Sequence, residues 1–198
     1  MPPTPRAVRS LRWLLWPVAA VAALTLVGQA SYATFSSTTS NNGNSLSVGT
    51  VSLTDDDSGS AVLSLTNLKP GSTGSRCVAV TSDGTLPSSV KLYATGAATT
   101  NGLATYITLT VTQGTGAGFG SCGTFTALPT ESAVYSGTVA AFTGAATGYS
   151  TGVGSWTPSG SAAETRSFRF SYTVSASTPD SAQGGTSSFG LTWEAQNT

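Results

Sequence analysis

The chain has no histidine in any of its 198 positions. That removes the usual general base for a serine or cysteine nucleophile and the usual nitrogen ligand of zinc. Charge is scarce as well. Asp, Glu, Lys and Arg make up 8% of residues, against about 25% in an ordinary soluble domain. Beyond the first twelve positions the basic residues are Lys69, Arg76, Lys91, Arg166 and Arg169. They are scattered, so there is no basic patch for nucleic acid or anionic lipid. Serine–lysine chemistry would need Lys69 or Lys91 buried beside a serine. Lys69 falls in a turn and Lys91 on the polar side of an alternating strand, so both read as solvated. A conventional enzyme is not expected, and neither is a cofactor.

Ser, Thr and Gly take the place of the missing charges. Thr suits a pleated, half-buried surface, and Ser and Gly suit turns, so composition alone favours strands. The patterning agrees. Ile107, Leu109 and Val111 alternate with Thr108, Thr110 and Thr112, the period of a strand with one buried face. Phe168, Phe170, Tyr172 and Val174 alternate with Ser167, Arg169, Ser171 and Thr173, and Phe189, Leu191, Trp193 and Ala195 do the same near the C-terminus. Earlier strands are expected near 46–53, 61–67, 76–82 and 89–95, with a weaker one near 122–127. In the first, the apolar phase slips across Gly49, which reads as a β-bulge. Lys69-Pro70-Gly71 has the order of a type II turn. About eight short strands predict an all-β, antiparallel, jelly-roll-like sandwich over 48–198. Residues 139–163 are rich in Gly, Ala and Ser and read as a long excursion, with one helical turn around Thr138 to Phe142.

The first 33 residues have the organisation of a signal peptide. Arg6, Arg9 and Arg12 precede an apolar run from Trp13 to Val27, which is shorter than the roughly 20 residues that span a bilayer comfortably. Small residues offer cleavage after Ala33 or, alternatively, after Ala30. An uncleaved membrane anchor is the other reading of the same segment. Either way the remainder is exported to the outside, with signal peptidase as a transient partner in the cleaved case. Removing the segment leaves 5 basic and 8 acidic residues, a net charge of −3. Export also gives Cys77 and Cys122, the only two cysteines, a disulfide as their default state. Closing that loop would stabilise the fold by about 4 kcal/mol on the chain-entropy account. A two-cysteine metal site is the weaker alternative.

Few side chains remain that carry chemistry. Asp55, Asp56 and Asp57 beside Ser58-Gly59 form the one acidic cluster, a weak calcium candidate without the terminal bidentate Glu of an EF-hand loop. A polar hairpin turn accounts for it as well. Trp193 lies on an apolar face and reads as core. Trp156, near Gly154 and Pro158, is the candidate surface aromatic for stacking on a ligand.

The order of these motifs resembles the TasA/camelysin family of secreted proteins from Gram-positive bacteria. The resemblance is carried by Thr34-Phe35-Ser36 after the signal, Ser47 to Leu53, and Leu65-Thr66-Asn67-Leu68-Lys69-Pro70-Gly71. Gly84-Thr85-Leu86-Pro87 with Val90-Lys91-Leu92, and the closing Phe189 to Gln196, add to it. It implies a jelly-roll sandwich, a dedicated SipW-processed type of signal peptide cut after Ala33, and a structural role in extracellular fibres of the biofilm matrix. In that arrangement residues 34–47, with Thr34, Phe35 and Leu46 as anchors, form an arm that inserts as a strand in the next subunit. The partners implied are copies of the chain itself and other matrix or cell-wall components. Some relatives are classed as metallopeptidases, an activity the missing histidines do not support. The alternative is a monomeric adhesion or ligand-binding sandwich that uses the 139–163 loop.

Overall fold

A computed structural model describes residues 49–59, 62–63 and 68–198. The signal segment with Ala30 and Ala33, the arm with Thr34, Phe35 and Leu46, and most of the strand expected at 61–67 lie outside the described residues. Nine strands are described: β1 (Leu53–Asp55), β2 (Thr73–Ser82), β3 (Ser88–Thr99), β4 (Ile107–Thr115), β5 (Thr126–Ala127), β6 (Ala133–Thr138), β7 (Val153–Trp156), β8 (Glu164–Val174) and β9 (Ser187–Asn197). One α-helix, α1 (Val139–Ala145), follows β6 directly.

The strands form two antiparallel sheets. The larger runs β1-β2-β8-β4-β5, with β6 also pairing to β4, and the smaller runs β7-β3-β9. Their inner faces meet in one core, which makes the chain an all-β sandwich. Val78 and Val80 of β2, Leu109 and Val111 of β4, and Phe168 and Phe170 of β8 enter from the larger sheet. Val90, Leu92 and Ala94 of β3 and Trp156 of β7 enter from the smaller one. Phe168 bridges the two sheets, with ring centroids 5.3 Å from Trp193 and 6.4 Å from Trp156. Each fully buried aliphatic or phenyl side chain is worth about 1.5–3 kcal/mol over its exposed state. The period-two faces read from the sequence are therefore what hold the sheets together. Phe189, Leu191, Trp193 and Ala195 of β9 pack against this core as expected.

Several local expectations change. Residues 49–52 are not strand, and the Gly49 position serves close packing instead of a bulge, because a Cβ there would overlap the Leu86 side chain. The weak strand near 122–127 shrinks to Thr126–Ala127, since the preceding residues fold over the outer face of β2. The 139–163 stretch is largely built into the sandwich. The Thr138 hydroxyl caps α1 by accepting the Ala141 N–H at 3.1 Å, and Val139, Phe142, Ala146, Trp156 and Pro158 are buried. The Pro70-Gly71 turn is as expected. Gly71 has φ +83°, the left-handed conformation a type II turn requires, and the Ser72 N–H reaches the Lys69 carbonyl at 2.9 Å.

Candidate assembly edge and the acidic turn

The smaller sheet ends on β9, an 11-residue strand. β3 lies along one side of it, and among the described residues no strand lies along the other. An edge of this kind presents backbone N–H and C=O groups that can pair with another chain. Beside the N-terminal end of β9 a groove of about 620 Å³ opens between the sheets. Its apolar wall is made by Leu68, Leu103, Ile107, Val139, Val174 and Phe189. Its opposite rim is the polar segment from Thr178 to Ser188.

The first described residues are fixed at the other end of β9. The Thr50 N–H donates to the Thr85 hydroxyl at 2.9 Å, and the Thr85 N–H returns to the Thr50 carbonyl at 2.7 Å. The same 84–88 turn holds the end of β9, where Ser88 pairs with Asn197 and the Thr198 N–H donates to the Pro87 carbonyl at 3.2 Å. Thr50 and the groove thus sit at opposite ends of one strand.

The acidic turn proves to be a structural fitting. The Asp56 N–H donates to the Ala79 carbonyl at 3.2 Å, and Asp56 Oδ1 accepts the Ala79 N–H at 2.8 Å. Asp56 Oδ2 accepts the Phe119 N–H at 2.7 Å. Asp57 Oδ1 accepts the Gly59 N–H at 2.7 Å, closing an Asx turn. Burial first, and then the hydrogen-bonded Asp57 carboxyl, push the Asp55 carboxyl above its usual pKa. The three acids do not converge on one point: Asp55 and Asp57 lie together, while both Asp56 oxygens turn to backbone N–H groups. Among the described residues no group of three or more His, Cys, Asp or Glu side chains is placed to hold a metal ion.

The remaining candidates divide. Cys77 and Cys122 form the expected disulfide, with Cα atoms 5.3 Å apart. Trp156 must be corrected. It is only 4% exposed, paired opposite Val90 and packed near Phe168, so it is a core residue and not a surface aromatic. The Gly- and Pro-rich neighbours that suggested freedom instead let the short β7 reach the edge of β3, with Gly154 at φ +104°. Lys69 is exposed, and Lys91 donates from Nζ to the Gly154 carbonyl at 2.5 Å. The site that sequence reasoning missed is the groove. Its lining comes from six separate parts of the chain, and no local pattern announces it.

These features define an antiparallel β-sandwich with a long edge strand and an apolar groove beside it. A family model described as camelysin metallo-endopeptidase matches residues 17–101, so the TasA/camelysin resemblance holds over that stretch, which includes residues 34–50. Residues 102–198, with β4 to β9, lie beyond the match. No curated protein matches the chain. The family description names a metallo-endopeptidase, against the expectation of a protein without enzymatic activity.

Proposed function

We propose that the chain is a secreted, non-enzymatic structural protein of the extracellular matrix or cell surface, which assembles by donating its N-terminal arm as a strand to the next copy. The observation that carries this reading is β9, the longest edge in the described sandwich, with the apolar groove beside it. The dimensions fit. Eleven residues of β9 extend about 37 Å, and residues 34–47 fully extended reach at most about 50 Å, enough to cover it. Phe35 and Leu46 are the apolar anchors available to such a strand. Backbone pairing would supply affinity, and pockets for alternate side chains would supply specificity.

The position of Thr50 gives the assembly a direction. A donor leaving one end of β9 and an acceptor groove at the other make a heterologous contact, and repeated heterologous contacts that do not close generate filaments. The metallo-endopeptidase named by the family description would require a ligand set for which this sequence, without histidine, supplies few residues. The ligand-binding alternative loses its main aromatic with the burial of Trp156.

The test is electron microscopy of purified residues 34–198 beside the same protein begun at Gly49. Filaments from the first and none from the second are expected. Monodisperse particles from both, across salt and pH, would sink the assembly reading.

A further inference from the structure

The connection between β4 and β5 folds back as a flap, Gly116 to Phe125, over the outer face of β2 and β8. Four fasteners hold it there. Cys122 is bonded to Cys77 of β2. The Ser167 hydroxyl of β8 exchanges hydrogen bonds with the Ala117 backbone, accepting its N–H at 3.1 Å and donating to its carbonyl at 2.5 Å. The Arg169 guanidinium lies over the Phe125 ring at 4.5 Å. The fourth is the Asp56 carboxylate, which spans from Ala79 of β2 to Phe119 of the flap.

Asp56 and the disulfide act on the same two pieces of chain at neighbouring positions. Ala79 is two residues beyond Cys77 on the same outward face of β2, and Phe119 is three residues before Cys122. Between them the Gly120 N–H donates to the Cys77 carbonyl at 3.2 Å. One Asp56 oxygen is fixed by the reciprocal pair with Ala79, which leaves the other aimed at the flap. Gly118 allows the approach, since a Cβ at that position would stand 2.7 Å from Asp56 Oδ2.

We propose that Asp56 is the positioning group that docks the flap in the thiol form of the protein and holds Cys122 against Cys77, so that oxidation closes the bond within the chain instead of between chains. The chemistry is ordinary thiol–disulfide exchange. The two thiols form one S–S bond and release two protons, and a small-molecule disulfide oxidant takes the two electrons and those protons to become two thiols. Asp56 takes no part in that transfer. It raises the effective concentration of one cysteine at the other by holding both segments in the bonded arrangement. By linkage the closed disulfide strengthens the Asp56 bridge to the same degree.

The experiment is the equilibrium between dithiol and disulfide forms of the purified full chain in glutathione buffers, with the two forms separated after acid quench. Asp56→Asn keeps the shape but leaves one backbone N–H facing an amide NH2. Gly118→Ala pushes the flap away and leaves the carboxylate intact. Each is expected to lower the effective concentration by about tenfold to a hundredfold, the equivalent of one hydrogen bond to a charged group. The double variant should lose little more than either single one, because both cut the same bridge. Thr138→Ala removes a helix cap outside the flap and should leave the equilibrium unchanged. Values within twofold of the unsubstituted chain for either flap variant overturn the proposal. An equal loss in Thr138→Ala overturns it too, because the effect would then be general destabilisation.

Discussion

Phe142 is the residue through which the Gly/Ala-rich stretch after β6 is committed to the core. It lies on α1 with no exposed surface, its ring centroid 4.9 Å from Tyr135 of β6 and 6.2 Å, edge-on, from Phe189 of β9. Phe142→Ala removes the ring and leaves a cavity between the helix, β6 and the edge strand. Truncations of this type cost about 3–5 kcal/mol, and the two aromatic contacts place the loss toward the upper part of that range. With a urea m-value of about 2 kcal/mol/M, the unfolding midpoint should fall by about 2–2.5 M with m unchanged. Urea melts followed by tryptophan fluorescence and by far-UV circular dichroism should move together. Phe119→Ala is the control. That ring is 39% exposed on the flap, and its loss should stay within about 0.5 kcal/mol. A midpoint shift below about 0.5 M for Phe142→Ala would refute the reasoning. It would mean that α1 docks too weakly to be part of the core and that 139–163 behaves as the free loop its composition suggests.

Two further predictions concern the acids. Glu164 accepts the Ser159 N–H at 2.6 Å and the Ser159 hydroxyl at 2.8 Å, and these bonds, the backbone one foremost, hold its pKa below the usual carboxylate value. A depressed folded pKa gives stability that is present above the unfolded value and lost as pH falls through the folded one. Glu164→Gln should therefore lower thermal stability near neutral pH and flatten the acid limb. Asp55 has the opposite sign. Its raised pKa, from burial and the Asp57 carboxyl, means that ionisation favours the unfolded chain, so Asp55→Asn should stabilise near neutral pH and do nothing in acid where both forms are protonated. A melting-temperature series across pH 3–8 checks both, and the same direction for the two variants would contradict the geometry. Finally, chelator treatment followed by added calcium or zinc should leave the melting midpoint unmoved, because both Asp56 oxygens are committed to backbone N–H groups. A rise with saturating metal would show a site that binds the folded form.

The sequence carried the strands whose two faces differ. Ile107, Leu109 and Val111 against three threonines, or Phe168, Phe170 and Val174 against hydroxyls and Arg169, leave one arrangement that buries the apolar set. β6 escaped because Val134 and Tyr135 are adjacent, half-buried on opposite faces, and Gly137 interrupts the run. β7 escaped because four residues, one of them glycine at positive φ, are too few to show a period. The disulfide was legible from arithmetic and the expected compartment, with two cysteines and no histidine. The acidic turn was legible as a turn. The destination of the Asp56 carboxylate was not, because Phe119 is 63 residues away and the contact exists only once the flap has folded. Trp156 shows the limit of reading composition locally. Its neighbours look like loop, while its partners Val90 and Phe168 come from two other strands.

The edges of the sandwich differ in a way that bears on assembly. Proteins that stay monomeric blunt their sheet edges with short strands, charges, proline or bulges. Here β1 is three residues long, β5 two, β6 six and β7 four, so each of these edges offers a shorter ladder to a passing chain than β9 does. The flap, pinned by the disulfide, Asp56 and Ser167, covers part of the outer face near β1. β9 has fewer of these protections among the described residues, with one register irregularity in its pairing to β3, between Thr95 and Ala98. It runs eleven residues with no proline and carries one charged side chain, Glu194. That carboxylate is engaged on the face of the sheet by the Tyr93 hydroxyl at 2.9 Å and by Gln196 at 2.9 Å. A chain whose other described edges are shorter, and which leaves one long, nearly neutral edge beside an apolar groove, has its largest capacity for strand pairing there. In the assembly proposed above, one acceptor per subunit and one donor segment would let strand pairing extend in a line without branching.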